Sequence, residues 1–461
     1  MKLASLLLSK ILLPQVLLAI LATLIFSAHS INRHLSFNSH ALDLGIFTQA
    51  TFLYSEGQIA YSTLKNTVLL TDHFDPILII IFPLYKIFPS PILLLFLQSL
   101  FVSLTIIPLY LIVKDNVENK VISLLLIITY LTSPLLLRAV SFDFHPGTLA
   151  LLPLSTLLYG WYFRKTKIYW ISFFTTFLFK EEVFFYIFGL GIYQLLIRQF
   201  RLGLLTTFLS TAIFYLIKFQ LMPLFSPNPS YIQSLTLPLL DLQQLFILFK
   251  DNPSTFIYSI FNAPEKISTL DEVFRQFGYL SLLSPLALVT ILPFLYLRFN
   301  SSLTYLWGST FHNNAPFLIF LLIGTVFVIR TYRLSNKFSY LFLLIFFFYN
   351  LILSDLLFFK VLSSLKANNT SYKYISQSIS SISKGSSVSA QTTIVPHLSN
   401  REKIYLFPDI KDAEFIILNT SLNTYPLSKR ELIEKINLLK QSNAWILEKQ
   451  NQDLYIFKRK L

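Results

Sequence analysis

The chain has 461 residues, of which 54% are hydrophobic and 13% are charged, and its mean hydropathy is +0.61. Soluble domains carry about 25% charged residues, so this composition excludes an ordinary soluble protein and predicts a polytopic membrane protein. Cys is absent, which excludes disulfides and cysteine metal sites, and the net charge of +14 is spread over turns between apolar segments rather than gathered for nucleic-acid binding.

Nine apolar segments are candidate membrane spans. They are residues 11–29, 92–113, 121–137, 148–163, 168–179, 183–197, 204–221, 317–328 and 340–359. We expect the first to remain in the protein as an anchor helix, because no small-residue cleavage site follows it. Residues 278–297 are apolar but contain Pro285 and Pro293, so they form either a kinked span or a re-entrant hairpin. The expected total is about nine to eleven transmembrane helices.

Basic residues lie in the short turns between these segments. They include Lys2, Lys10, Lys114, Lys120, Arg164, Lys165, Lys167, Arg198, Arg201, Arg330, Arg333 and Lys337. The positive-inside rule places these turns and the N-terminus in the cytoplasm, and the acidic loops outside. Residues 30–89 then form the first outer loop. Within it, residues 76–88 are too short for an ordinary crossing and predict an interfacial or re-entrant helix, and residues 43–57 predict a second interfacial helix.

The composition changes near residue 366, where apolar runs give way to Ser, Asn and Lys. Residues 387–394, 403–407 and 414–418 are typical of strands, and residues 444–448 and 454–458 of a hairpin. Ser428 followed by Glu431 predicts a capping box that opens an amphipathic helix to about Gln441. We therefore expect two domains, a transmembrane domain at 1–365 and a small α/β domain outside the membrane at 366–461.

The first outer loop gathers carboxylates in a chain that has 23 Asp and Glu residues in all. Asp43, at the start of an expected interfacial helix, is placed to accept a proton near the membrane surface, or else it stabilises the N-terminus of that helix. His73 and Asp75 are candidate ligands of a metal or of a substrate. The alternative for Asp75 is a helix start, since Pro76 follows it.

A second outer loop carries Asp143 and His145, which we expect to join Asp43 and His73 around one site. Carboxylate and imidazole groups are ligands of divalent metals, so a divalent metal ion is a possible cofactor. The alternative is a polar loop that ends in the Pro146-Gly147 turn.

Further ionisable residues lie near apolar segments. Lys180, Glu181 and Glu182 are consecutive, and such groups at membrane depth either pair with one another or serve a polar cavity. Lys180 and Arg138 are candidate phosphate contacts, with a Lys–Glu pair and a snorkelling arginine as the alternatives. His312 is a candidate for lining a substrate cavity, against the alternative of a solvated loop histidine.

Several ordered motifs together resemble a prokaryotic family of polytopic membrane proteins, over nearly the whole chain. They are Asp43-Leu-Gly-Ile-Phe-Thr-Gln49, His73-Phe-Asp-Pro76, Phe144-His-Pro-Gly147, Lys180-Glu-Glu182, Val388-Ser-Ala390, Val395-Pro-His-Leu-Ser399, Arg401 and Tyr405-Leu-Phe-Pro408. That family is similar to the GT-C glycosyltransferase superfamily, which includes protein mannosyltransferases, aminoarabinose transferases and oligosaccharyltransferases.

The resemblance implies a GT-C-like fold in a prokaryotic cell membrane, a sugar donor carried on a polyprenyl phosphate, an unidentified acceptor and an outward-facing active site. It implies catalytic roles for Asp43, the acidic residue early in the first outer loop, and for Asp143 in the next one. A glycosyltransferase is therefore the expected function. Two alternatives remain open: a transporter or flippase of a lipid-linked substrate, and a non-catalytic membrane scaffold that presents the C-terminal domain.

Overall fold

The computed structural model describes residues 13–225, 261–301, 304–309, 312–334 and 372–460, with isolated residues between 250 and 258 and between 341 and 363. The chain divides into two compact units. The first unit comprises Met1–Leu24, Ser99–Ser141 and Gly147–Lys360, and the second comprises Ile25–Gln98, Phe142–Pro146 and Val361–Leu461. The predicted domain boundary at residue 366 lies outside the described residues and stays a prediction.

The first unit is built from apolar helices. Those that lie wholly or mostly within it are Ile106–Asn116, Lys120–Thr132, Pro134–Ser141, Leu151–Tyr162, Thr166–Thr176, Phe184–Leu196, Phe200–Leu216, Met222–Phe225, Pro264–Arg275, Pro285–Phe299 and Phe317–Thr331. Two more helices, Leu13–Leu35 and Pro91–Leu104, are shared with the second unit. Several pairs of consecutive helices pack together, such as Leu151–Tyr162 with Thr166–Thr176 and Phe184–Leu196 with Phe200–Leu216.

Membrane-spanning length is reached by four helical segments of the described residues. They are Pro14–Leu35, Pro91–Asn116, Phe200–Phe225 and His312–Thr331. A fifth is possible if Lys120–Thr132 and Pro134–Ser141, bent by 42°, form one span. The expected spans at 168–179 and 183–197 are helices of only 11 and 13 residues. Most of the expected span at 340–359 lies outside the described residues.

The helix Phe317–Thr331 forms the centre of the first unit. Twelve of its residues are buried, on all sides of the helix, as its uniformly apolar sequence predicts. It packs against the helix Pro285–Phe299, where Pro285 occupies the first turn and Pro293 lies inside the helix. Residues 278–297 therefore begin with a short 3-10 turn, Leu280–Leu283, and continue as one helix.

The second unit contains the first outer loop. A π-helical turn, Ala41–Gly45, leads directly into the helix Ile46–Ser55. A two-residue hairpin, β1 (Tyr61–Ser62) and β2 (Thr67–Val68), and the short helix Leu69–Asp72 precede the helix Ile77–Ile87. The two expected helices of this loop are thus present, at Ile46–Ser55 and Ile77–Ile87.

The C-terminal part of this unit is a five-stranded sheet in the order β4-β3-β5-β7-β6. Its strands are β3 (Val388–Ala390), β4 (Ile404–Leu406), β5 (Phe415–Asn419), β6 (Trp445–Asn451) and β7 (Leu454–Arg459). The strand β3 is parallel to β4 and β5, whereas β7 is antiparallel to β5 and β6. The helices are Lys373–Ile379, Val395–Leu398 and Lys429–Gln441.

Two sequence predictions for this part have different outcomes. The capping box is confirmed, since the Ser428 side chain accepts from the Glu431 N–H and the Glu431 carboxylate accepts from the Ser428 N–H. The strand expected at 387–394 is shorter, because β3 ends at Ala390 and the chain turns into the helix Val395–Leu398.

The sheet separates two apolar cores, because alternate residues of a strand point to opposite faces. On β5, Ile416 and Leu418 pack toward the helix Lys429–Gln441, whereas Ile417 packs on the other face. That other core also contains Phe37 and Ala41 from the first outer loop. The C-terminal sheet therefore supports the chain segment that leads to Asp43.

Candidate functional site

The site in the second unit is built around the start of the helix that carries Asp43. His40 has extended backbone angles, and the π-helical turn begins at the next residue with Asp43 in its first turn. The N-cap residue, His40, forms no side-chain capping hydrogen bond, and Asp43 lies inside the first turn rather than at the N-cap. A carboxylate in the first turn is nevertheless stabilised by the positive end of the helix dipole. Asp43 is partly exposed, so solvent reaches it.

The carboxylate of Asp143 lies at the start of this turn. Its Oδ2 accepts from the backbone N–H of His40 at 2.6 Å and lies 3.3 Å from the Nδ1 of the same residue. Its Oδ1 lies 3.8 Å from Nη1 of Arg33. Asp143 is 3% exposed, so these contacts replace most of its hydration. Asp143 therefore fixes the entry to the helix of Asp43, 100 residues earlier in the chain.

Gln98 holds the loop that carries Asp143 and His145. Its side-chain Oε1 accepts from the backbone N–H of His145 at 2.8 Å, and its Nε2 donates to the carbonyl of Asp143 at 3.4 Å. Gln98 is 1% exposed. Sequence reasoning missed this residue, although a lone Gln in an otherwise apolar helix was the available signal.

His145 and His73 lie near each other, as the sequence predicted. Their ring centroids are 6.4 Å apart, and the His145 ring also packs edge-to-face on Phe47 with centroids 5.4 Å apart. Phe47 belongs to the helix that follows Asp43, so the two loops meet on this helix. Because the His145 ring packs on an aromatic edge and the loop backbone is clamped, its orientation is fixed.

Two other carboxylates of residues 30–89, Asp72 and Asp75, are buried. Asp72 pairs with Lys65, and its side chain is 6% exposed. Asp75 is fully buried and lies close enough to Tyr54 for its charge to act there. Burial raises the pKa of the Tyr54 hydroxyl, and the Asp75 charge raises it further. These two carboxylates therefore belong to the packed interior of the loop.

The helix Ile46–Ser55 was expected to lie in the membrane interface with one apolar face. It is instead covered on both sides, since its polar residues Thr48, Gln49 and Thr51 are buried as well. The Gln49 side chain donates to the hydroxyl of Thr63 and to the carbonyl of Glu402, each at 2.8 Å. The surface of this helix that was expected to contact lipid is thus in contact with other parts of the protein.

The C-terminal part contacts the turn of Asp43 at several points. Thr392 Oγ1 accepts from the backbone N–H of Ala41 at 3.3 Å. A Cβ on Gly45 would lie 2.9 Å from Cγ1 of Val395, so the absence of a side chain permits this approach. His397 was not assigned a role from the sequence. Its ring stacks on the His34 ring with centroids 4.0 Å apart.

The remaining sequence-predicted residues lie in the first unit. Lys180 pairs with Glu182 at 2.9 Å, and Glu181 lies 4.0 Å from Lys218. The expected alternative of a Lys–Glu pair is therefore present at Lys180. Arg138 forms an ion pair with buried Glu272.

His312 begins a short 3-10 turn, His312–Asn314, and is partly buried. The nearby Arg298, which sequence reasoning missed, is 3% exposed and donates to the carbonyls of Leu306 and Gly308 at 2.6 and 2.8 Å. This buried arginine therefore fixes the backbone at Leu306 and Gly308.

The positions of the His, Asp and Glu side chains bear on metal binding. Among the residues that the structure describes, no three His, Asp or Glu side chains are close enough to one another to hold a metal ion. His73, Asp143 and His145 approach one another, but the contacts of Asp143 are with His40 and Arg33.

Comparison with known proteins gives a family. No curated protein matches the chain. A family model described as "Predicted membrane protein (DUF2079)" matches residues 33–456. Since this match covers most of the chain, the protein belongs to the DUF2079 family of predicted membrane proteins.

Proposed function

We propose that the protein is a membrane glycosyltransferase that moves a sugar from a polyprenyl-phosphate donor to an acceptor at the outer face of the membrane. The observation that carries this proposal is the meeting of two outer-loop segments, around residues 40–43 and 143–145, in one compact unit. The motif resemblance to GT-C glycosyltransferases supports the same choice, because those enzymes use an acidic residue at the position of Asp43.

The two carboxylates have different surroundings, which assign them different roles. Asp43 is partly exposed and carries negative charge at a helix start, so it is placed to act as a general base. Asp143 is almost fully buried and held by His40 and Arg33, so it acts as a positioning residue for the turn of Asp43. Two carboxylates in different environments commonly have different roles in acid–base catalysis.

The proposed reaction is a single displacement with inversion. The acceptor hydroxyl attacks the anomeric carbon, its proton passes to Asp43, and the bond between that carbon and the phosphate oxygen breaks. The polyprenyl phosphate leaves with the electron pair of that bond. His145 and His73, which meet beside the Asp43 helix, are proposed to donate hydrogen bonds to the sugar. The substrate contacts expected of Asp75, Glu181, Glu182 and His312 stay predictions and are not part of this proposal.

A phosphate contact by Lys180 or Arg138 would require an exchange of partners. Each of these cations already pairs with a carboxylate, Glu182 or Glu272. A phosphate bound there would displace or join that carboxylate. Its charge-assisted hydrogen bonds with the cation would resemble those that the carboxylate makes now. The proposal therefore rests on Asp43 and the second unit.

The test uses the purified full chain in vesicles with radiolabelled polyprenyl-phosphate hexoses and pentoses. Release of the sugar from its lipid is measured in the presence of a membrane extract as the source of acceptor. Asp43→Asn should lower the rate by about 10²–10⁴-fold, the range for loss of a general base. The matched control is Glu56→Gln, an exposed carboxylate at the other end of the same helix, which should retain the rate.

Two outcomes would overturn the proposal. Sugar release by folded Asp43→Asn at the wild-type rate would remove Asp43 from the chemistry. A donor that changes leaflet with its sugar still attached, with no release by the wild type, would instead favour the transporter. Folding of each variant is checked by its elution volume and thermal unfolding.

A further inference from the structure

Three turns that carry basic residues come together at one end of the first unit. They follow the helices Leu151–Tyr162, Phe184–Leu196 and Phe317–Thr331. A cavity of about 460 Å³ opens here, and the residues that matter for its chemistry are Arg164, Arg201, Trp161, Trp170, Gln199 and Phe200. A second cavity of about 380 Å³ shares Trp161, Arg164 and Gln199 with the first and adds Arg330.

Hydrogen bonds beneath the cavity hold its floor in place. The Trp161 indole N–H donates to the Gln199 side chain at 2.8 Å. Deeper, the Tyr169 hydroxyl lies 2.5 Å from Thr206 Oγ1, which joins the helices Thr166–Thr176 and Phe200–Leu216. The cavity is therefore a built feature between packed helices.

The charge at the cavity is positive. Arg164, Arg201 and Arg330 are all exposed, so their guanidinium groups are available to a ligand. The nearest carboxylate in this network, Asp115, accepts from the Tyr162 hydroxyl at 2.6 Å, and Arg330 donates to the same hydroxyl at 3.1 Å. Within residues 147–225, no carboxylate forms an ion pair with Arg164 or Arg201. One planar guanidinium group can donate hydrogen bonds to two phosphate oxygens at once, so these arginines fit a phosphate-bearing ligand.

Apolar side chains continue from the cavity along both adjoining helices. The helix Thr166–Thr176 exposes a row at every third position, and the helix Phe200–Leu216 exposes a row at every fourth. These rows are Ile168, Ile171 and Phe174, and Phe200, Leu204 and Phe208. Residues at such spacing share one face of a helix. An exposed apolar face of a membrane protein beside a basic cavity fits acyl chains attached to an anionic headgroup, whereas a free phosphate would leave both rows without a role.

We propose that this cavity binds the headgroup of an anionic phospholipid, on the side of the membrane that carries the basic turns. The arginines contact the phosphate, the two tryptophans lie at the level of the headgroup, and the acyl chains lie against the two exposed apolar rows. Basic pockets between transmembrane helices are recognised sites for anionic lipids. This site is independent of the proposed glycosyltransferase chemistry.

The test is lipid quenching of tryptophan fluorescence in the purified full chain in detergent micelles. The probes are phosphatidylglycerol and phosphatidylcholine brominated near the headgroup end of their acyl chains. Two of the four tryptophans, Trp161 and Trp170, line the cavity, so a lipid bound there should quench them. Saturable quenching by phosphatidylglycerol is expected at concentrations where phosphatidylcholine gives little.

The variant R164Q/R201Q removes two cavity charges, and K165Q/R198Q removes two charges from the same turns without touching the cavity lining. The first should weaken phosphatidylglycerol binding by about thirty-fold, from roughly fivefold for each basic residue near an anionic lipid. The second should retain most of the affinity. Both variants should keep the wild-type elution volume.

Equal loss of binding in the two variants would show diffuse attraction by the basic turns and would overturn the proposed site. Displacement of the brominated lipid by equimolar inorganic phosphate would show that the acyl chains contribute nothing, and would overturn the assignment to a lipid. Equal quenching by the two brominated lipids would overturn the requirement for a negative headgroup.

Discussion

Replacement of Asp143 is the most informative perturbation of the second unit. Its carboxylate is 3% exposed and accepts from the His40 backbone N–H at 2.6 Å, with Arg33 at 3.8 Å from its other oxygen. Asp143→Asn preserves the shape and one acceptor oxygen but removes the charge. Asp143→Ala also leaves the His40 N–H without its acceptor. Comparison of the two variants separates the contribution of charge from that of the hydrogen bond.

The magnitudes follow from these contacts. A hydrogen bond to a charged group contributes about 1.5–3 kcal/mol, and an unsatisfied buried donor costs about 1–3 kcal/mol more. The side chains of Arg33 and His40 are 23% and 39% exposed, so solvent screens part of the ion-pair energy. We expect a loss of about 2 kcal/mol for Asp143→Asn and ~3–5 kcal/mol for Asp143→Ala. The matched control is Asp409→Asn, whose ion pair with Lys411 at 3.3 Å is exposed. It should lose less than about 1 kcal/mol.

The assay is thermal unfolding of the full chain in detergent, followed by the loss of the monodisperse elution peak. One kcal/mol corresponds to about 2–4 °C for a unit of this size, so Asp143→Asn should unfold ~4–8 °C earlier than the wild type. An unfolding temperature equal to that of Asp409→Asn would refute the role of the charge. Equal shifts for Asp143→Asn and Asp143→Ala would refute the role of the backbone hydrogen bond.

Two further perturbations address the C-terminal contacts. Gly45→Ala would place a Cβ 2.9 Å from Cγ1 of buried Val395, so it should lower the free energy of unfolding by about 1–3 kcal/mol, as measured by thermal unfolding. The control is Gly385→Ala, which should be nearly neutral because the nearest atom to its Cβ is 3.9 Å away. A neutral Gly45→Ala would contradict the close approach. Burial lowers the pKa of His397 well below its usual range, and the charge of His34 acts in the same direction. The unfolded chain therefore binds a proton at His397 that the folded chain excludes. The contribution of His397 to stability is thus complete above about pH 6.5 and is lost below it, by at most ~1.4 kcal/mol per pH unit. His397→Phe should flatten this fall in unfolding temperature between pH 7 and 5, and an unchanged slope would show that His397 does not titrate on unfolding.

Local sequence patterns predicted the elements whose causes are local. Ser428 and Glu431 satisfy each other's backbone groups three residues apart, so the helix start at Lys429 was readable from the sequence. The hairpin of β6 and β7 was readable for the same reason, since two alternating runs flank a short polar turn. Apolar length predicted the four helices of the described residues that are long enough to cross a membrane. It also predicted spans at 168–179 and 183–197, where the helices have only 11 and 13 residues.

Elements that depend on contacts with residues far away in the chain could not be predicted from local sequence patterns. The helix Ile46–Ser55 was predicted to be interfacial because its own sequence shows only its apolar face. Its polar face is covered by residues near Glu402, which lies 353 positions away from Gln49. The role of Gln98 was hidden because its partners belong to the loop around Asp143. Residue type indicated candidate groups such as Asp143 and His145, whereas their positions relative to one another depended on long-range packing.

The C-terminal sheet is part of the structure that orients Asp43. The turn Ala41–Gly45 has no side-chain cap of its own, so its start is not stabilised by local sequence. It is held instead by Asp143 at its entry, by Thr392 at the Ala41 N–H and by packing against Val395. A scaffold that only displayed the C-terminal part would have no need to clamp this acidic turn from two distant segments. A catalytic base does need a fixed position, because small displacements of a reacting group cost large factors in rate. In the proposed function, these contacts hold the carboxylate of Asp43 in the fixed position that a general base needs.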